Sequence, residues 1–99
     1  MDVNVNAIHF TADKKLKQLI NLKVNKLTTF HDGIISADVN LKLDKSESGE
    51  NKIAEVKIFI RGDDLFAKKQ SKTFEEAVDE CLDAVRRQLL KHKEKERNI

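Results

Sequence analysis

ADVNLKLDKSESGENKIAEVKIFI, residues 37–60, contains two runs of strict alternation. Ala37, Val39, Leu41 and Leu43 alternate with Asp38, Asn40, Lys42 and Asp44, and after SESGEN the apolar set returns as Ala54, Val56, Ile58 and Ile60. A period of two puts all the apolar side chains of a strand on one face, so the runs read as hairpin partners with one buried and one wet face. Upstream, Val3, Val5 and Ala7 alternate with Asp2, Asn4 and Asn6, which predicts a further strand over residues 2–8. Downstream, the turn Arg61-Gly62-Asp63-Asp64 leads into a weaker strand over residues 65–71, with Lys68 and Gln70 on its polar side.

Two stretches have helical rather than strand spacing. In TADKKLKQLINLKVNKLTTF, residues 11–30, Leu16, Ile20, Val24 and Leu27 line one face with no Gly or Pro between them. Thr11 is the expected cap of this helix and His31-Asp32-Gly33 its stop. Thr73 and Glu76 form a T-x-x-E capping box. After it, Ala77, Val78, Cys81, Leu82, Val85 and Leu89 keep one apolar stripe, a rod of about 30 Å at 1.5 Å per residue. The order is therefore β-α-β-β-β-α. The expected class is α+β: a four-stranded, mainly antiparallel open sheet with both helices packed on one face.

The chain has 99 residues, 39% of them hydrophobic and 36% charged, enough for one small core. A single domain over residues 1–99 is expected, with about 94–99 polar enough to fray. No apolar run approaches the roughly 20 residues of a membrane span. The opening MDVNVNAIHF has no leader pattern, and the lone Cys81 makes an internal disulfide impossible. The expected setting is a cytoplasmic, reducing compartment with no membrane partner.

Net charge is only +2, but its placement is uneven. Residues 12–30 contain five Lys against Asp13, and residues 85–99 contain Arg86, Arg87, Lys91, Lys93, Lys95 and Arg97 against Glu94 and Glu96. Between these basic blocks the chain is balanced, except that Glu75, Glu76, Asp79, Glu80 and Asp83 form an acidic run. Separated charge of this kind suits a polyanion, although acid early and base late in a helix is also what the macrodipole favours.

The titratable candidates for chemistry are few. His9, His31, His92 and Cys81 stand in no catalytic or metal-ligand spacing, and Cys81 lies in the apolar stripe as a core thiol. Asp63-Asp64 beside Gly62 reads as a turn rather than a metal site, and Arg61-Gly62-Asp63 as a chance tripeptide. Three scattered glycines build no phosphate loop. No catalytic residue, metal, cofactor or small-molecule substrate is expected. With five Phe and no Tyr or Trp, single-strand base stacking is disfavoured, and structured RNA contacted through its phosphates fits better.

At about 100° per residue from Val78, Arg86, Lys93 and Arg97 share one flank of the closing helix, while Arg87 and Lys91 lie outward. On the first helix Lys23 falls at the border of the apolar stripe, where its stem packs and its head escapes along an edge shared with Lys26.

LINLKVNKLTTFHD (residues 19–32) and AVDECLDAVRRQLLKHKEK (residues 77–95), together with the element order and length, resemble the short hibernation-promoting factors, also called ribosome-associated inhibitor or protein Y. The second stretch resembles that family's closing helix, with a basic-Gln-Leu segment followed by Lys-His-Lys. The resemblance implies a non-enzymatic protein, monomeric when free. It would bind the small ribosomal subunit in the channel used by messenger RNA and by A-site and P-site transfer RNA. It also implies that Lys23, Lys26, Arg86, Arg87, Lys91, His92, Lys93 and Lys95 face ribosomal RNA phosphates. Where the family commonly has Tyr followed by small residues, this chain has Phe74, Glu75 and Glu76, so no aromatic hydroxyl contact is expected there. The acidic half of the closing helix is expected to point away from RNA or to meet a basic ribosomal protein. The extra C-terminal domain by which long family members pair ribosomes is not expected here. The residues by themselves leave two other readings open: a general double-stranded RNA-binding domain, and a protein-interaction regulator of a polymerase subunit.

Overall fold

A computed structural model describes residues 1–45 and 49–97, with side chains through residue 92. The elements are β1 (Asp2–Ala7), α1 (Lys14–Asn25), a 3₁₀ turn (Lys26–Thr29), β2 (Ile34–Leu43), β3 (Lys52–Ile60), β4 (Asp63–Ser71) and α2 (Phe74–Arg97). The sheet order is β1-β2-β3-β4, with β1 parallel to β2 and the other pairs antiparallel. The β-α-β-β-β-α reading and the mainly antiparallel sheet hold, with one parallel pair bridged by α1. Because β1 and β4 point the same way, the helices that follow them also run in the same direction.

The inner faces supply the core. Val39, Leu41, Val56 and Ile58 from the strands meet Ile20 and Val24 of α1 and Val78, Val85 and Leu89 of α2, all fully buried or nearly so. Small residues, Ala54 and Ala67, stand where α2 comes close to β3 and β4, and the Cys81 thiol donates to the Ala54 carbonyl at 3.2 Å. Burial pushes that thiol up to about 11, so Cys81 is the core thiol its stripe position implied and carries almost no nucleophilic thiolate at neutral pH.

Several boundaries differ from expectation for local reasons. Asp13, not Thr11, caps α1: its carboxylate accepts from the Leu16 N–H at 2.7 Å on an extended backbone. The α-helix stops at Asn25 and tightens into the 3₁₀ turn, where the Thr28 and Thr29 hydroxyls each donate at 2.7 Å to carbonyls three residues back. β2 starts at Ile34 rather than at residue 37. The register slips between Ile34 and Ser36, and this bulge breaks the alternation and leaves Ile35 exposed. β4 starts at Asp63, paired with Ile60, so the turn is only Arg61-Gly62, with Gly62 at φ +82°. The Thr73 half of the expected box is present, its hydroxyl accepting from the Glu76 N–H at 3.1 Å. Among the described residues, no helix is long and apolar enough to cross a membrane.

Candidate nucleic-acid interface

The two basic helices lie side by side, and a hollow runs between them. α1, its 3₁₀ turn and the residue that follows contribute Lys23, Lys26, Leu27 and Phe30, and α2 contributes Asp79, Leu82, Asp83 and Arg86. Leu27 is buried, so the hollow has an apolar floor and a charged rim. At one end the Arg86 guanidinium stacks over the Phe30 ring, 4.4 Å from its centroid. That contact holds the guanidinium against the ring, and Arg86 forms no ion pair among the described residues. At the other end the Lys23 ammonium meets the Asp79 carboxylate at 2.8 Å, tying α1 to α2.

From Arg86 the basic surface continues around α2. Arg87 shares a second hollow with Arg86, Asp83 and Leu90, and borders a third formed with Lys69, Glu80 and Ala84. Lys91 lies on the far flank, beside Gln88 and the start of β4 at Asp63, Asp64 and Leu65. Gln88 ties that flank down by donating to the Phe66 carbonyl at 2.9 Å. His92 is partly buried and meets His31 edge-on at 5.9 Å. His31 in turn accepts from the Gly33 N–H at 2.9 Å, so this imidazole pair packs the end of the fold.

The eight residues expected at an RNA surface therefore divide. Lys26, Arg86 and Arg87 come together across the helix pair, with Lys91 on the adjoining flank. Lys23 is engaged by Asp79. His92 is a packed side chain rather than a projecting tip. Lys93 and Lys95 belong to the last turns of α2, and their side chains lie outside the described ones. The sequence reading missed Phe30, Asp79 and Asp83. With Leu16 at zero and about 100° per residue, Lys23 falls near 340° and Phe30 near 320°, on the same flank, so a signal for it existed. Of the acidic half of α2, Asp79 and Asp83 line the hollow, and at the start of the helix Phe74 stacks on Phe10 at 5.1 Å.

The sigma 54 modulation protein / S30EA ribosomal protein family matches residues 3–97, and the chain belongs to that family. It is 26% identical over 95 residues to the ribosome hibernation promoting factor of Klebsiella oxytoca, with 96% of each chain covered. A ribosomal subunit interface protein from Coxiella burnetii has a similar fold, with a TM-score of 0.83 at 19% identity over 94% of this chain and 98% of that one. The Protein Y N-terminal domain of Thermus thermophilus does too, with a TM-score of 0.76 at 19% identity over 90% and 96%. The family is one of non-enzymatic, ribosome-associated hibernation factors.

Proposed function

We propose that the whole chain acts as one ribosome-binding unit, monomeric when free. It lodges on the small subunit in the channel used by messenger RNA and by A-site and P-site transfer RNA, and keeps idle ribosomes inactive by occupation. Occupation needs shape and affinity but no bond-making. The observation that carries this reading is that, among the described residues, Lys26, Arg86 and Arg87, which come together across the helix pair, and Lys91 on the adjoining flank form no ion pair. Cations without internal partners can replace the counterions of a phosphate backbone at little internal cost. Lys93 and Lys95 extend the same basic run, Lys23 adds a partly neutralised charge, and His92 holds the end of α2 against His31.

Co-sedimentation with purified small subunits tests the reading. Arg87→Glu combined with Lys91→Glu is expected to keep the far-ultraviolet circular dichroism of the parent and to leave the pellet. A double variant that pellets like the parent at moderate salt would remove α2 as the RNA-facing element. An excess of unrelated RNA hairpin is expected to leave most of the parent protein on the subunit. Displacement by the hairpin would indicate a general duplex binder instead.

A further inference from the structure

The hollow between the helices is walled by cations, yet it is nearly neutral. Lys23, Lys26 and Arg86 supply three positive charges and Asp79 and Asp83 two negative ones, leaving +1. The Lys23 ammonium is already held by Asp79 at 2.8 Å, with the carboxylate side chain 53% exposed at the rim. Neither carboxylate is needed to satisfy the core, because both residues are exposed. Asp79 and Arg86 are seven residues apart on one helix, about 10.5 Å along its axis. An RNA that lays consecutive phosphates along the hollow therefore meets Asp79 as well as Arg86.

Resting on the ribosomal RNA reading above, we infer that Asp79 and Asp83 are specificity residues that repress binding to RNA in general. Asp79 repels phosphates from one end of the hollow and holds the Lys23 charge out of use, while Asp83, beside Arg86 and Arg87, offsets part of theirs. An RNA surface that offers phosphate to Arg86, Lys26 and Arg87 while leaving the Asp79 end open loses least from this arrangement. A regular duplex, with phosphates in unbroken rows, loses most. Selectivity then comes from a built-in repulsive element as well as from attraction.

Asp79→Asn with Asp83→Asn keeps side-chain size and removes both charges. At matched ionic strength this variant is expected to bind an unrelated RNA hairpin about tenfold tighter than the parent, with a steeper dependence on salt. Its affinity for small subunits is expected to rise by a smaller factor, so the ratio of the two affinities falls. Adding Lys23→Gln to Asp79→Asn is expected to remove most of the gain that the single variant shows, because the released ammonium is its source. Hairpin affinity that does not change overturns the inference, whatever the subunit does. Equal gains for hairpin and subunit overturn the assignment of selectivity. If the parent protein fails to bind subunits at all, the proposed function falls, while the hairpin comparison still decides whether the two carboxylates repress RNA binding. Thermal unfolding midpoints close to the parent's confirm that these exposed substitutions leave the fold in place.

Discussion

The outer face of the sheet and the helical face opposite it are both dense in charge, but they handle it differently. On the sheet face, Lys42 pairs with Glu55 at 2.6 Å, Lys57 approaches Asp64 at 3.8 Å, and Asn4 donates to Asp38 at 3.2 Å. Across the helices Lys23 is paired with Asp79 at 2.8 Å, but Arg86 rests on an aromatic ring, and Lys26, Arg87 and Lys91 form no ion pair among the described residues. The sheet face thus spends part of its charge on internal pairs. A face that leaves Lys26, Arg86, Arg87 and Lys91 outside any ion pair among the described residues keeps them available to an anion, and net charge, +2 for the chain, registers neither arrangement.

The strongest way to break this contrast is to neutralise the two faces in parallel. Arg86→Gln with Arg87→Gln is expected to weaken small-subunit binding about 100-fold, because each charge-assisted contact is worth about 1.5 kcal/mol or more. Lys42→Gln with Lys57→Gln is expected to change it less than about threefold. Equal losses measured by filter binding would erase the distinction between the faces. Thr73→Ala separates stability from binding: it removes the cap of α2 and is expected to lower the unfolding free energy in urea by about 1 kcal/mol. Binding at temperatures well below the melt is expected to be unaffected. Phe30→Leu takes away the ring under Arg86 and is expected to weaken subunit binding by about 0.5–1 kcal/mol, with the salt slope retained because no charge is lost. Smallest of all, Glu55→Gln is expected to cost at most about 1 kcal/mol of stability and to leave subunit affinity alone, since it only unpairs Lys42.

Local patterns made most of the architecture readable. Alternation in residues 37–43 and 54–60 assigns inner and outer faces because a strand has no other way to bury every second side chain. The stripe from Val78 to Leu89 likewise sets which side of α2 meets the sheet. What stayed hidden depends on contacts between distant residues or on competing local bonds. The Lys23–Asp79 pair joins residues 56 apart, so no spacing rule reveals it, and Asp79 reads from the sequence as one more acid near a helix start. Asp13 displaces Thr11 as cap because only its carboxylate reaches the Leu16 N–H, and both residue types are good caps on paper. The basic run of α2 was legible as charge, but its division into a groove-facing Arg86, an outward Arg87 and a packed His92 required the neighbouring elements.

Binding to purified small subunits, titrated with monovalent salt, tests the central claim most directly. If unpaired cations of the helical face meet RNA phosphates, log affinity falls steeply and linearly with log salt, and Arg86→Gln with Arg87→Gln lowers that slope by roughly one to two units, about 0.9 per phosphate by the B-form duplex value. An affinity that is flat with salt, or a slope the double variant leaves unchanged, would contradict it.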